Sequence, residues 1–252
     1  MPSLIEAPGL RACFDIAAAL KLSFIELNMN MPEYLPDRFD ADLARRLISE
    51  TGIYLTLHLP EDLNPAHFST PVREAYVQTA LSTLRIARDL GMPIVNMHMA
   101  DGIFFTLPDK KVFLFDVYKN DYLTALKSFR DACAKEIGNS DVTVMVENCG
   151  GFHAFQQAGI DVLLESPAFS LTLDVGHDHA AKGVDMPFVS ARQNRLRHMH
   201  LHDALGTANH LALGDGEVDI KSKLALAKEH DCSVVVEVKT LEALKRSVAT
   251  LR

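Results

Sequence analysis

The sequence predicts an α/β fold, a single (β/α)₈ barrel over residues 1–252, with a metal site at the carboxyl ends of the strands. Strand-like and helix-like patterns alternate along the whole chain, which is typical of a parallel sheet wound with helices. The length of 252 residues is close to the usual size of one such barrel. Successive apolar, β-branched runs also end on an acidic residue, as expected for buried parallel strands that lead into a polar cleft.

The elements can be assigned in chain order from these patterns. The predicted strands cover residues 3–5, 23–27, 53–58, 94–98, 142–147, 170–174, 196–203 and 233–237. The predicted helices cover residues 10–20, 41–51, 71–90, 118–137, 152–165, 187–195, 218–230 and 241–251. Pro71 and Gly91 mark the ends of the longest of the early helices, because proline suits a first turn and glycine the position after the last.

One linker stands apart from this regular pattern. The segment Met99–Asp116 is long and rich in phenylalanine, with Phe104, Phe105, Phe113 and Phe115. An unstructured loop of that length in a barrel is more often a lid or a subunit contact than a passive connection. We therefore expect this segment to cover the active site or to form an interface between copies of the chain.

Four successive units of the barrel carry a polar residue at the same place. Asp174 follows Glu147 by 27 residues, His200 follows Asp174 by 26, and Glu237 follows His200 by 37. Each gap fits one strand, one helix and two loops. Because the carboxyl ends of barrel strands converge on one face, a larger set should meet there. It comprises Glu26, His58, His98, Glu147, Asp174, His200 and Glu237.

The strand that carries His200 has an unusual pattern. Residues 198, 200 and 202 are all histidine, and in a strand their side chains would point to one face. Neutral imidazole is the commonest metal ligand, which favours a metal site. The alternative is a polar strand end in which His198 and His202 are partly solvated. His153, His179, His202 and His230 are given no ligand role and are expected at the surface or in support of the ligands.

Charge and composition restrict the classes of partner. The net charge of −8 argues against a large nonspecific nucleic-acid surface. The four cysteines form no Cys-x-x-Cys pair, which indicates reduced thiols in a cytosol. Neither a signal sequence nor an apolar run of membrane-spanning length is recognisable. A cytoplasmic location without membrane contact is therefore expected.

The predicted ligand set suggests a reaction class. Two Glu, one Asp and one His form a hard, mostly anionic group suited to Mn²⁺, Zn²⁺, Mg²⁺ or Co²⁺. The ion would act as a Lewis acid on a carbonyl or hydroxyl. Two carboxylates beside it could pass a proton at the carbon next to the carbonyl, as in aldose–ketose isomerases and ketose epimerases. His177, three residues after Asp174, could touch the same ligand or a second ion, or could simply belong to a helix N-cap.

The glycine-rich stretch 213–216 could be mistaken for a phosphate-binding loop. The acids Asp215, Glu217 and Asp219 surround it, and the first cation after it is Lys221. A tight turn with Asp219 near the start of the next helix is the better interpretation.

Together these residues resemble the xylose isomerase-like TIM-barrel superfamily of sugar isomerases, epimerases and endonuclease IV, over nearly the whole chain. Resemblance to the epimerases implies a metal bound by Glu147, Asp174, His200 and Glu237, with both glutamates as catalytic acid and base and with His177 binding substrate. Resemblance to endonuclease IV implies three zinc ions, with further ligands His58, His98, His177 and His210. For an epimerase-like enzyme these four histidines are assigned to substrate binding.

Departures from the two branches separate these alternatives. The endonuclease's aspartate two residues before His210 is Ala208 here, and losing one of three ligands should weaken a third zinc site. Glu61 and Asp62 follow His58, where acids would repel phosphates. On the other side, the arginine of the epimerases is replaced by Gly206.

The sequence therefore favours a divalent-metal-dependent sugar or sugar-like isomerase or epimerase, with Mn²⁺ or Zn²⁺ preferred to Mg²⁺ or Co²⁺. Its expected partner is a small sugar, nucleic acid is not expected, and a homo-oligomer stays open. An endonuclease IV-like zinc phosphodiesterase acting on abasic DNA and a non-catalytic metal-binding barrel are the alternatives. A related lyase would use the same residues.

Overall fold

A computed structural model describes all residues 1–252. The strands, in chain order, are β1 (Phe24–Asn28), β2 (Tyr54–His58), β3 (Ile94–His98), β4 (Phe104–Thr106), β5 (Lys111–Phe113), β6 (Thr143–Glu147), β7 (Phe169–Asp174), β8 (Leu196–Leu201), β9 (Asp203–Leu205), β10 (Ala208–Leu211) and β11 (Ser233–Val236). The α-helices are α1 (Gly9–Ala19), α2 (Ala41–Thr51), α3 (Thr70–Leu90), α4 (Leu114–Val117), α5 (Lys119–Ile137), α6 (Ala154–Leu164), α7 (Val175–Ala180), α8 (Met186–Ser190), α9 (Ile220–Glu229) and α10 (Leu241–Thr250). Short 3₁₀ turns lie at Pro32–Tyr34 and Gln193–Arg195.

Seven parallel strands form a nearly closed barrel in the order β1-β2-β3-β6-β7-β8-β11, which confirms the predicted fold class. Most of their apolar side chains belong to a core of 54 buried residues packed under the surrounding helices. Local signals in the sequence set the helix ends. Asp40 accepts a hydrogen bond from the backbone N–H of Leu43 at the start of α2, and Gly91 ends α3 in the left-handed conformation.

The first predicted strand, residues 3–5, is misplaced. Pro2 instead forms an isolated parallel bridge with Glu26, at the edge of β1 that β2 leaves free. The chain then turns, because the backbone N–H of Ala7 donates to the carbonyl of Leu4 at 2.9 Å. Ile5 is 87% exposed, so the β-branched residue that suggested a strand lies outside the sheet.

The linker Met99–Asp116 is structured, which corrects the expectation of an unstructured loop. Strands β4 and β5 pair antiparallel and form the first hairpin, with Phe104 opposite Phe113. The helix α4 follows directly, and Phe115 within it is buried. Cross-strand aromatic pairing stabilises such short strands, and the rings of Phe104 and Phe113 lie 5.4 Å apart.

The predicted strand 196–203 is also divided. Strand β8 ends at Leu201, and β9 and β10 form a second hairpin, residues 203–211, before α9. The predicted helix 187–195 is shorter than expected, since α8 ends at Ser190 and a 3₁₀ turn follows. Both hairpins lie at the carboxyl-terminal face of the barrel.

Candidate active site

Four predicted ligands lie at neighbouring strand ends. Glu147 and Asp174 are the last residues of β6 and β7, His200 lies in β8, and Glu237 directly follows β11. The strand register sets their depth, because Asp174 lies opposite His200 and His200 lies opposite Val235. One donor atom from each of the four lies within 4.8 Å of the others. The structure therefore brings these four residues together.

His200 is at the centre of this group and is 1% exposed. Its Nδ1 lies 3.1 Å from Glu147 Oε1, 3.0 Å from Glu237 Oε2 and 3.9 Å from Asp174 Oδ2. Glu237 Oε2 is buried and accepts no hydrogen bond of suitable direction. Three carboxylates around one imidazole nitrogen, one with an unsatisfied oxygen, form a donor set that divalent ions use. The residues present therefore fit a divalent metal ion.

A buried carboxylate beneath this group faces the second ring nitrogen of His200. Glu26 Oε1 lies 2.7 Å from Nε2 of His200, and Oε2 lies 3.0 Å from Nε2 of His198. The hydroxyl of Thr56 donates to Glu26 Oε2 at 3.2 Å. Burial alone would lower the pKa of His200, but the carboxylates at its two ring nitrogens outweigh burial and raise this pKa well above its usual range. The sequence placed Glu26 on this face but gave no role to it.

The second oxygen of Glu147 is surrounded by donors. Glu147 Oε2 lies 3.2 Å from Nε2 of His58 and 3.4 Å from Nε2 of His98, and the side-chain amide of Asn96 donates to it. His58 Nδ1 lies 2.8 Å from the carbonyl of Leu59, so this nitrogen carries a proton. Sequence reasoning missed Asn96, although its alternation with His98 in β3 puts both on one face.

The surroundings push the pKa values of these groups apart. Burial raises the pKa of Asp174 well above its usual range, and neighbouring Glu237 adds to the effect. Burial acts the same way on Glu147, but its electrostatic interactions, above all with His200, outweigh burial and hold the pKa well below the usual range. Burial alone would lower the pKa of His58, yet its hydrogen bond to Glu147 raises it to about 9. Proton donors and acceptors thus coexist in one site, as acid–base chemistry requires.

Three histidines form a second group on the side of Asp174. Nε2 of His177 lies 3.3 Å from Nε2 of His210, and the ring of His202 stacks on His210 at 4.2 Å. The N-cap alternative for His177 also holds, because Asp174 accepts its backbone N–H at 2.6 Å and caps α7. His198 and His202 are fully buried, in contrast to the partly solvated strand end. In the sequence, the alternation of His198, His200 and His202 predicted that their side chains point to one face of the strand.

A small cavity of about 160 Å³ borders Glu147. It is lined by Met99, Asp101, Glu147, Cys149, Gly150, Gly151, Phe152, His153 and Gln156. Sequence reasoning also missed Lys239, whose Nζ lies 2.7 Å from Glu237 Oε1. In the sequence, only the position of Lys239 two residues after Glu237 indicated that the two side chains could meet. Gly206, which stands where the resemblance to the epimerases implies an arginine, lies in the exposed turn of the second hairpin.

The glycine-rich stretch 213–216 is a turn closed on a carboxylate, not a phosphate loop. Asp203, 1% exposed, accepts the backbone N–H groups of Ala204, Gly214 and Val218 at 2.8–3.0 Å. These amides therefore already have an anionic partner within the chain. Asp219 caps α9 through the N–H of Ser222, as expected from the sequence.

Comparison with solved structures supports the fold. A structure described as a D-tagatose 3-epimerase-like protein aligns with a TM-score of 0.80 and 22% identity, over 99% of this chain and 94% of the other. The 3-keto-D-glucoside 4-epimerase YcjR of E. coli aligns with 0.76 and 13%, over 100% and 96%. An IolI protein with a bound zinc atom aligns with 0.73 and 16%, over 98% and 93%.

No helix of the structure is both long and apolar enough to cross a membrane. The model of the family described as xylose isomerase-like TIM barrel matches residues 14–252, which is nearly the entire chain. This match extends over every barrel strand and over all the candidate site residues. The chain therefore belongs to the xylose isomerase-like TIM-barrel family.

Proposed function

We propose that the protein is a divalent-metal-dependent isomerase or epimerase of a sugar or sugar-like molecule, and that it moves a proton at the carbon next to a carbonyl. One observation carries this proposal. Glu147 and Glu237, on strands separated by two others, both approach Nδ1 of His200, at 3.1 and 3.0 Å. Two carboxylates that face one small volume can act on the two faces of a substrate carbon.

In this proposal Glu147, Asp174, His200 and Glu237 hold the ion. When bound, it would polarise the substrate carbonyl and so make the neighbouring C–H group more acidic. Mn²⁺ and Zn²⁺ suit a mixed carboxylate and imidazole set best. The zinc atom of the IolI structure is in keeping with this choice.

The chain's own groups determine which carboxylates can accept a proton. Burial opposes ionisation of Glu237, but His200 outweighs it and holds its pKa well below the usual range, as for Glu147. Both glutamates are thus ionised near neutral pH and can serve as bases. Asn96 and Lys239 hold their second oxygens in place. We propose that His58, His98, His177 and His210 hydrogen-bond the substrate hydroxyls.

The remaining assignments follow from the same proposal. A small sugar is the partner, the chain acts as one domain over residues 1–252, and the cytoplasm is its location. Charge disfavours DNA as a substrate, because Glu61 and Asp62 are exposed on the loop after β2, where they would repel phosphates.

A zinc phosphodiesterase acting on abasic DNA is the second candidate. The observation that favours it is the presence of two further groups of donor atoms, His58–His98–Glu147 and His177–His202–His210. Metal content of the purified protein separates the two candidates. One equivalent of bound ion favours the isomerase, and three favour the phosphodiesterase.

The deciding experiment compares wild type with Glu147→Gln and Glu237→Gln in D₂O. Glutamine still offers one oxygen to an ion but cannot accept a proton near neutral pH. We expect deuterium wash-in into a panel of ketoses and aldoses to fall about 10²–10⁴-fold, while metal binding falls much less. Glu229→Gln, at an exposed position of α9, is the matched control. If wild type exchanges no sugar proton but cleaves an abasic duplex, the isomerase proposal is wrong.

Removal of single ligands tests the shared metal site directly. We expect Asp174→Ala, His200→Ala and Glu237→Ala each to lose bound metal while the fold survives, because these residues lie at the mouth and not in the packed layers of the barrel. Metal analysis and circular dichroism on the same samples check both statements. Full metal occupancy in all three variants would contradict the proposal.

A further inference from the structure

His202 lies between the metal-site carboxylate Asp174 and the second hairpin. It is fully buried, and its Nε2 lies 3.0 Å from Oδ1 and 3.1 Å from Oδ2 of Asp174. It thus spans both oxygens of the carboxylate. The backbone N–H of His177 donates to Oδ1 as well, at 2.6 Å. Asp174 is therefore held from two directions.

The hydrogen bonds of His202 determine its tautomer. The backbone N–H of His210 donates to Nδ1 at 2.8 Å. A ring nitrogen that accepts a hydrogen bond carries no proton, so the proton of the neutral ring is on Nε2 and points at Asp174. The carbonyl of Asp203 also approaches Nδ1 and could accept only from an Nδ1–H group, but at 3.4 Å this contact is much longer than the 2.8 Å contact with the N–H of His210, which needs an unprotonated Nδ1.

Glycine at position 176 makes this arrangement possible. A Cβ atom there would lie 1.9 Å from Cε1 and 2.1 Å from Nδ1 of His202. The ring therefore packs directly against the backbone of the first turn of α7, beside the carboxylate that caps the helix. Any larger residue at 176 would have to move the ring away from Asp174.

His202 thus differs from the two histidines with which it clusters. Both of its nitrogens are already used within the chain, one as acceptor and one as donor. His210 instead directs Nδ1 at the carbonyl of Glu237, at 3.2 Å, so that the lone pair of its Nε2 faces Nε2 of His177 at 3.3 Å. A metal ligand needs such a free lone pair. Proximity alone would make His202 a ligand, but its hydrogen bonds give it another role.

We propose that His202 is a positioning residue, which orients Asp174 for metal binding and makes this orientation depend on the docking of the second hairpin. The hydrogen-bond path runs from the backbone N–H of His210 through the imidazole ring of His202 to the carboxylate of Asp174. This role rests on the proposed function, in which Asp174 is a metal ligand. Hydrogen bonds of this kind fix a ligand in its binding orientation before the ion arrives.

Two substitutions at this position separate the two hydrogen bonds. In His202→Gln the amide nitrogen can take the place of Nε2 and donate to Asp174. In His202→Asn the amide oxygen can take the place of Nδ1 and accept from His210, but the side chain does not reach Asp174. We expect His202→Asn to raise the Kd for Mn²⁺ or Zn²⁺ about 10–100-fold, and His202→Gln to stay much closer to wild type. Gly176→Ala should weaken binding in the same direction, because it displaces the ring.

The kinetic readout distinguishes positioning from general destabilisation. With saturating metal, kcat of His202→Asn should recover, since the ligands themselves remain. Equal effects of Asn and Gln, or an unchanged Kd in His202→Asn, would overturn the proposal. Loss of one full equivalent of metal in both variants would make His202 a ligand and would overturn it too.

A metal-independent measurement keeps this inference separate from the proposed function. Nitrogen-15 NMR of the metal-free wild type reports which ring nitrogen of His202 carries the proton. We expect the Nε2–H tautomer, and the Nδ1–H tautomer would overturn the hydrogen-bond path. If wild type binds no divalent ion at all, the proposed function fails whichever tautomer is found.

Discussion

The two hairpins at the mouth of the barrel are attached in opposite ways. The second hairpin, residues 203–211, is tied down by polar groups: Asp203 binds backbone amides of the following turn, and His210 contacts His177 and the carbonyl of Glu237. The first hairpin, β4–β5, is anchored by apolar rings in the segment that follows it. Phe115 is 1% exposed, and its ring centre lies 4.5 Å from that of Tyr122. Phe104 and Phe105 remain 41% and 59% exposed.

The contrast indicates a division of tasks between the hairpins. Directional hydrogen bonds can place a side chain to within a few tenths of an ångström, which metal and substrate groups require. Apolar packing stabilises an element without directing any one atom, and it leaves exposed rings available for a further contact. We therefore expect damage to the first hairpin to affect stability, and damage to the second to affect the site.

The largest expected effect is on stability and follows from Phe115→Ala. Removing a buried aromatic ring that packs on Tyr122 and Phe155 should lower the free energy of unfolding by about 3–5 kcal/mol. Denaturant unfolding gives this value, and titration of the folded variant with Mn²⁺ should give a Kd like that of wild type. A metal affinity that falls together with stability would erase the contrast between the hairpins.

Asp203→Asn should lower the free energy of unfolding less than Phe115→Ala does, and it should weaken metal binding more. The amide turns an N–H group toward backbone donors, so we expect a loss of about 1–3 kcal/mol in the free energy of unfolding. Because His202 and His210 depend on this hairpin, the metal Kd should rise about tenfold or more. Asp215→Asn, in the exposed part of the same turn, is the matched control.

The same variant gives a pH dependence with a definite sign. Burial opposes ionisation of Asp203, but the backbone N–H groups outweigh it and lower its pKa below the usual value. Its stabilising contribution is therefore complete above the unfolded pKa of about 3.9 and is lost as the pH falls through the folded value. The stability gap between wild type and Asp203→Asn should be widest near neutral pH and should close in acid. A gap independent of pH would show that the charge is not the cause.

The smallest effect is expected for Phe105→Ser at the first hairpin. An exposed side chain contributes within about 0.5 kcal/mol, so both stability and metal affinity should stay at wild-type values. If the hairpin is an interface or a lid, the change will appear in sedimentation velocity or in KM. Wild-type values of stability, metal affinity, sedimentation velocity and KM would together contradict both the lid and the interface expected for this segment.

The sequence was sufficient for the barrel and for the grouping of the four strand-end residues. The strands of a parallel barrel bring their carboxyl ends together whatever their side chains. The spacing that puts Glu147, Asp174, His200 and Glu237 at strand ends was therefore enough to predict that they lie together. The hairpins were not predicted, because strands of three or four residues are too short for alternation to be recognised.

Individual contacts were beyond sequence reasoning for a different reason. The role of His202 depends on the missing Cβ of Gly176, which is a contact between separate elements. The pairing of Lys239 with Glu237 depends on how the backbone turns after β11. Such contacts are set by tertiary packing, and neither hydrophobic periodicity nor spacing contains them.

The pairing of β8 with β7 shifts register by one residue, and this shift must form correctly when the barrel refolds. Leu196 pairs with Leu171, but His198 pairs with Thr172, so Arg197 is an extra residue in the ladder. If the register did not shift at this point, the first pairing would continue and would set Met199 opposite Asp174, with a thioether where His200 now lies. A barrel assembled one residue out of register could be compact and still take up no ion. Time-resolved metal uptake during refolding would then count only those molecules in which the two strands have paired correctly.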